Sequence, residues 1–164
     1  MVANEPNAGG ASVVSEALSM EYLAQRLSAT NVITEMAIDY WSFNWKRVDY
    51  ICDIVGRRVG VSVTRAMGFP TADIFQQADA RRLLVKKLHG LIVARWGVCE
   101  RQRYETSVLH CWCQDGRIAD LMVDAYRALG PGELEGIEDV VVLLSVAEGV
   151  PAIFTDDQHV LVSA

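Results

Sequence analysis

The sequence predicts a three-layer α/β domain in which helices cover a mixed central sheet. Two observations lead to this class. Residues 46–67 alternate apolar and polar side chains with a period of two, which is typical of a β-hairpin. Later in the chain, a continuous apolar run at residues 140–146 follows a segment of helical periodicity, which is typical of parallel strands. We therefore expect an antiparallel meander followed by βαβ-type elements.

The first half of the chain predicts one helix and three antiparallel strands. Apolar residues at helical spacing indicate a helix over residues 15–29. Alternating residues indicate a first strand over residues 32–41. The hairpin strands are Arg47–Ile54 and Val59–Arg65. Together these segments predict a meander with one apolar and one polar face.

The predicted turn of the hairpin sets the pairing of its polar residues. A tight turn at Gly56-Arg57 would place Asp49 opposite Thr64 and Ile51 opposite Ser62. A carboxylate and two hydroxyls would then gather on one face of the sheet.

The second half of the chain predicts further helices and strands. The expected elements are a helix capped by Thr71 that runs to about Ala94, a buried strand at residues 107–114, a helix capped by Asp115, an apolar strand at residues 140–146, a short strand at residues 152–155 and a tail strand at residues 159–164. A Gly-Pro-Gly sequence at residues 130–132 ends the third helix.

Length and composition fit one domain with a large core. The chain has 164 residues, of which 51% are hydrophobic. We expect residues 1–12 to be a disordered leader and residues 13–164 to form a single domain. The net charge of -6 gives no overall basic excess, so nucleic-acid binding would need a local basic patch.

The sequence also predicts an intracellular protein, either cytoplasmic or nuclear. Its apolar runs are shorter than the roughly 20 residues that span a membrane, and its first residues lack the pattern of a secretion signal. The four cysteines lie mostly in hydrophobic runs, which indicates buried, reduced thiols. In a strand, Cys111 and Cys113 would point away from His110, so this group does not predict a zinc site.

A basic cluster stands out on the second predicted helix. It consists of Arg81, Arg82, Lys86 and Lys87. One interpretation is the solvated side of an amphipathic helix. The other is a surface that contacts the phosphates of a nucleic acid.

The order of elements over residues 15–114 resembles the restriction-endonuclease-like fold of the PD-(D/E)XK nuclease superfamily. In that family an aspartate on the second strand and a Glu-x-Lys on the third hold a divalent metal. The resemblance implies that Asp49 is the strand aspartate, and that Glu16 or Glu21 is the glutamate that the family often carries on its first helix. The bound metal would be Mg²⁺ or Mn²⁺.

The third strand departs from the family pattern. It has Ser62-Val63-Thr64 where Glu-x-Lys is expected, so one carboxylate and the lysine are missing. The candidate catalytic residues are therefore Asp49, Glu16, Glu21, Ser62 and Thr64, with Asp49 as the metal ligand. For Asp49, an ordinary solvated carboxylate paired with Arg47 or with a cation of a helix is the alternative interpretation.

The missing motif favours a non-catalytic module that binds nucleic acid or a protein. Its contact surface would be the basic helix or an exposed apolar patch. The alternative is a metal-dependent nuclease with a rebuilt active site that uses Asp49 and a helix glutamate.

Overall fold

The computed structural model describes residues 12–155 as a five-stranded sheet between two layers of helix. The helices are α1 (Ser12–Leu27), α2 (Gln77–Gly97), α3 (Gly116–Arg127) and α4 (Pro151–Phe154). The strands are β1 (Thr30–Thr34), β2 (Tyr50–Ile54), β3 (Arg57–Ala66), β4 (Thr106–Cys113) and β5 (Val140–Val146). The predicted leader and the tail strand lie outside the described residues, apart from Ser12, which begins α1.

The sheet is mixed, as the sequence predicts. Its strands follow the order of the chain, from β1 to β5. The pairs β1–β2 and β2–β3 are antiparallel, whereas β3–β4 and β4–β5 are parallel. Each parallel pair is joined through a helix, α2 in the first case and α3 in the second. The predicted meander followed by βαβ-type elements is confirmed.

Each face of the sheet has its own hydrophobic core. On one face, α2 and α3 bury Leu84, Leu88 and Ile118 against the sheet. On the other face, α1 and α4 contribute Leu23 and Phe154. The domain is therefore a three-layer α/β structure. Within residues 12–155, no helix is both long enough and apolar enough to cross a membrane.

The hairpin forms as predicted, but its register differs by two residues. Its turn is Val55-Gly56 rather than Gly56-Arg57. Val55 and Gly56 both have positive φ angles, of 51° and 73°, as a tight hairpin turn requires. Tyr50 consequently pairs with Val61, and Ile51 with Gly60 rather than with Ser62. The predicted pairing of Asp49 with Thr64 is wrong for the same reason. A shift of two residues preserves the alternation of faces.

The face that carries Ser62 and Thr64 is covered rather than exposed. Thr64 pairs with Cys111 of β4, and Cys111 belongs to the core beneath α2. Val61 and Val63, which alternate with these polar residues, pack on the opposite face with α1. Both faces of β3 are therefore buried by helices.

Three predicted boundaries are wrong for local reasons. The strand expected over residues 32–41 ends at Thr34, where the chain enters a 3-10 turn. Thr71 precedes another 3-10 turn, and Gln76 caps α2 through a reciprocal hydrogen-bond pair with Asp79. Residues 152–155 were expected as a strand, but α4 occupies Pro151–Phe154, since proline is well suited to the first turn of a helix.

The apolar strand β5 is parallel, as predicted. It pairs with β4 and is the last strand of the described sheet. Val141 and Val146 are each about half exposed. An apolar sequence therefore does not by itself show that a strand is covered on both faces.

Candidate functional site

Asp49 lies where β2 and β3 separate. β2 begins at Tyr50, opposite Val61, so the end of β3 extends beyond it. The backbone N–H of Asp49 donates to the carbonyl of Val61 at 2.9 Å. Its carboxylate accepts a hydrogen bond of 2.6 Å from the N–H of Val63. The side chain therefore satisfies a backbone donor of β3 after the neighbouring strand has ended.

The electrostatic surroundings of Asp49 disfavour its charge. Burial raises the pKa of this carboxyl to about 6, and repulsion from Glu16 and Glu35 adds to the effect. The hydrogen bond from Val63 and the charge of Lys87 act in the opposite direction. Asp49 is partly buried, and Lys87 of α2 is a helix cation that acts on its carboxylate.

The other candidate carboxylates lie on α1. Glu16 is partly buried and close enough to Asp49 to raise its pKa by repulsion. Glu21 is exposed and accepts a hydrogen bond from Gln25 on the same helix. Among residues 12–155, no three His, Cys, Asp or Glu side chains are grouped so that they could hold a metal ion.

The predicted basic cluster divides into two parts. Arg81 forms an ion pair with Glu133, and Arg82 pairs with Asp79 at 2.9 Å. Lys87 turns toward the sheet, where burial lowers its pKa and the charge of Asp49 opposes that shift. The four residues therefore do not form one uniform phosphate-binding surface.

A lysine from another element joins Lys86 and Lys87. The aliphatic chain of Lys46 lies on α2 at Gly90, where an added Cβ would be 3.0 Å from Cε of Lys46. Gly90 is one helical turn beyond Lys86. The charges of Lys46 and Lys86 both lower the pKa of Lys87. We call these three residues the lysine cluster; no ion pair within the described part of the chain involves any of them.

Three exposed aromatic side chains lie near the end of α2. Trp41 and Phe43 belong to the loop before the hairpin, and Trp96 belongs to the last turn of the helix. Their exposed fractions are 70%, 89% and 69%. We call them the aromatic platform. The sequence patterns did not predict this surface, although three aromatic residues alternate with polar ones from Trp41 to Trp45.

The loop that carries the platform is fixed on α2. The N–H of Trp41 donates to the carbonyl of Gly97 at 2.9 Å. The indole of Trp45 lies directly on Gly97, where a Cβ would be 2.0 Å from the ring, and its Nε1 donates to the carbonyl of Val93 at 2.8 Å. A glycine at position 97 is therefore required for the loop to approach the helix so closely.

The opposite face of the sheet contains a buried polar network around His110. Its Nδ1 is 2.7 Å from Oγ of Ser19, and its Nε2 is 2.9 Å from Oγ of Ser145. Ser19 is also 2.7 Å from the hydroxyl of Tyr50. Burial lowers the pKa of His110 to about 4, so the ring is neutral at pH 7. We interpret this inaccessible network as structural.

The cysteines are mostly buried, as the sequence predicts. Cys111 and Cys113 are buried on the face opposite to His110, and both are free thiols. The pKa of the Cys111 thiol is raised by its interaction with Cys113 and by burial. The protonated thiol is therefore favoured at this position.

A cleft of about 780 Å³ lies at the carboxyl ends of the parallel strands. Phe69, Val150 and Phe154 form much of its apolar wall. Arg65 is the charged residue among its described lining, and it donates to the carbonyl of Ile153 at 3.3 Å. This hydrogen bond directs the Arg65 side chain toward α4.

Comparisons with known proteins identify one relative. The chain is 36% identical over 131 residues to the AAC-rich mRNA clone AAC4 protein of Dictyostelium discoideum. The match covers 76% of this chain and 19% of that protein, so the chain spans about a fifth of its relative's length. No family model matches the sequence, and no solved structure gives a significant match.

Proposed function

We propose that this chain is a non-catalytic nucleic-acid-binding module with a restriction-endonuclease-like fold. The observation that carries the proposal is the lysine cluster. It combines Lys46, in the loop before the hairpin, with Lys86 and Lys87 of α2. Like charges held together repel one another, and a phosphate placed among them relieves that repulsion. An anionic polymer is the ligand that such a surface favours.

The position of Asp49 supports the proposed fold. It lies at the start of the second meander strand, beside the later half of the third. This is where the resemblance to the nuclease superfamily requires an aspartate. The order of helix, meander, helix and parallel strand is also compatible with that superfamily.

Electrostatics support the absence of catalysis. Cleavage of a phosphodiester develops negative charge and needs a metal ion or a cluster of cations at the reacting phosphate. A metal ligand must be deprotonated, and burial and the nearby Glu16 raise the pKa of Asp49 to about 6, so protons compete with a metal ion as the pH falls toward this value. Ser62 and Thr64, which occupy the Glu-x-Lys positions, are neutral.

The first prediction concerns binding and its dependence on salt. We expect the purified chain to bind labelled single- and double-stranded oligonucleotides at low salt, with affinity that falls as salt rises, because phosphate contacts release counterions. The double variant Lys46→Glu/Lys86→Glu should lose most of this affinity. Fluorescence anisotropy at several salt concentrations measures both effects.

A matched double variant controls for net charge. Arg57→Glu/Arg127→Glu makes the same change of charge at two exposed positions on the hairpin and on α3. It should bind almost as well as the wild type. Equal losses in the two double variants would contradict a local binding surface. Cleavage of the oligonucleotides with Mg²⁺ or Mn²⁺ that disappears in Asp49→Asn would overturn the non-catalytic assignment and favour the metal-dependent nuclease.

Strand β5 favours a second candidate, a protein-interaction module. Its sequence contains no charged residue, and it is the last strand of the described sheet. Apolar strands without charged residues, when they lie at the edge of a sheet, pair readily with a strand of another chain. This candidate becomes the better one if no oligonucleotide binds.

A further inference from the structure

We infer that the nucleic acid is single-stranded, with its bases stacked on the aromatic platform of Trp41, Phe43 and Trp96. The inference rests on the proposed function, because it specifies the form of nucleic acid that the lysine cluster binds. It uses an aromatic surface that neither the sequence resemblance nor the relative assigns.

The exposure of the platform indicates a binding surface. A single exposed aromatic residue is ordinary, but several around one point mark a place where a ligand covers them. The N–H of Trp41 donates a hydrogen bond to the carbonyl of Gly97, and Trp96 directly precedes Gly97 in the chain. These two indoles therefore project from neighbouring backbone positions, with Phe43 on the same loop.

The platform is held in place before any ligand arrives. Trp45 anchors the loop through its contact with Gly97 and its hydrogen bond to Val93. Asp39 and Gln102 attach the preceding segment, since the N–H of Asp39 donates to the side chain of Gln102 at 2.6 Å. A fixed surface loses little conformational entropy on binding, which favours affinity.

The loop that carries Trp41 and Phe43 follows the side of α2 on which Lys46 rests. Trp45 and Lys46 are consecutive, and they rest on Gly97 and Gly90 respectively. These glycines are seven residues apart, which corresponds to about 10 Å along a helix. One strand placed along this surface would meet lysines at one end and aromatic rings at the other, as in other sites for single-stranded nucleic acid.

Nearby charges are compatible with a phosphate backbone. The carboxylate of Asp39 is paired with Arg101 at 2.7 Å, and that of Asp79 with Arg82 at 2.9 Å. The guanidinium of Arg95 lies 5.3 Å from the centre of the Trp96 ring and is paired with Asp139 at 3.1 Å. These neighbouring charges are therefore largely balanced by their own partners, and the positive charge for a phosphate comes from the lysine cluster.

Stacking distinguishes single strands from duplexes. In a duplex the faces of the bases already stack on one another, so protein rings reach them only at ends and loops. In a single strand each base offers a face to an aromatic side chain, and each such contact contributes about tenfold in affinity. Exposed tryptophans beside lysines therefore favour the unpaired form.

The test measures binding of three kinds of probe, all of equal length, to the full chain. The first is a mixed-sequence single strand, as DNA and as RNA, and the second is the corresponding duplex. The third is an abasic DNA strand with the same number of phosphates. We expect the wild type to bind the single strand at least about tenfold more tightly than the abasic strand. Trp41→Ala/Phe43→Ala should remove that difference and leave binding of the abasic strand unchanged. Phe69→Ala/Tyr126→Ala, at exposed aromatic residues elsewhere, is the matched control and should change neither.

The outcomes separate this inference from the proposed function. If the wild type binds the abasic strand or the duplex as tightly as the single strand, the stacking inference is overturned and the proposed function stands. If no probe binds, both are overturned, and a protein partner for the aromatic platform is favoured instead. The comparison of probes needs no variant, so it remains decisive even if the double variant fails to fold.

Discussion

The two faces of the sheet bury titratable groups in different ways. On the α1 face, both ring nitrogens of His110 have hydroxyl partners, Ser19 and Ser145. On the α2 face, Asp49 is hydrogen-bonded to one backbone N–H, and Lys87 is drawn inward without an ion pair among the described residues. A satisfied polar network stabilises a single structure. Charged groups that form no ion pair are instead where a ligand of opposite charge can contribute binding energy.

The largest expected effect is the loss of the His110 network. His110→Ala leaves a cavity in the core and removes partners from Ser19 and Ser145, so the free energy of unfolding should fall by about 3–5 kcal/mol. Urea unfolding followed by tryptophan fluorescence measures this change. His89 is exposed on α2, and His89→Ala should stay within about 0.5 kcal/mol of the wild type. Similar losses in both variants would show that the network is not a special source of stability.

A smaller effect is expected from pH, because the two faces respond in opposite senses. The pKa of His110 falls from 6.5 to about 4 on folding, so its contribution to stability is lost as the pH falls through this range. The pKa of Asp49 rises from 3.8 to about 6, so the folded state binds the extra proton and gains stability as the pH falls from 6 to 4. The two contributions partly cancel between pH 4 and pH 6.

Asp49→Asn separates these contributions. The amide oxygen can still accept the hydrogen bond from Val63, while the cost of burying a charge disappears. The free energy of unfolding should therefore rise by about 1–3 kcal/mol at pH 7 to 8, and it should decline more steeply than in the wild type between pH 6 and pH 4. Urea unfolding at a series of pH values measures both features. Asp124→Asn, at an exposed position on α3, is the control and should leave the profile unchanged; an unchanged profile in Asp49→Asn would show that Asp49 ionises normally.

The sequence was sufficient for the architecture because local patterns determine it. Alternation predicted the hairpin, and the capping role of Asp115 is confirmed by the hydrogen bond that its side chain accepts from the N–H of Ile118. The register was not predictable in the same way. It depends on Val55, a β-branched residue that adopts a positive φ of 51° in the turn, which sequence preferences disfavour.

The candidate site was harder to predict because it is assembled from distant segments. Asp49 was identified through the family resemblance, but its burial depends on helices that the strand pattern does not reveal. Lys46 rests on Gly90, one helical turn from Lys86, because Gly90 and Gly97 allow the loop to lie on α2. Such an approach is a tertiary feature, and the glycines of an otherwise regular helix were the available signal for it.

The smallest predicted effect tests whether the charges of Asp49 and Lys87 interact electrostatically. The charge of Lys87 lowers the pKa of Asp49, and Lys86 is not among the main charges that act on this carboxyl. Lys87→Met keeps a long side chain but removes the charge, so the pKa of Asp49 should rise by a few tenths of a unit, as for a weak interaction between separated charges. A carbon-13 NMR titration of the Asp49 carboxyl measures the shift, and Lys86→Met should move it less. If the pKa of Asp49 is the same in Lys87→Met as in the wild type, the two charges are not coupled across the α2 face. The lysine cluster would then act on a ligand independently of the position that resembles the nuclease aspartate.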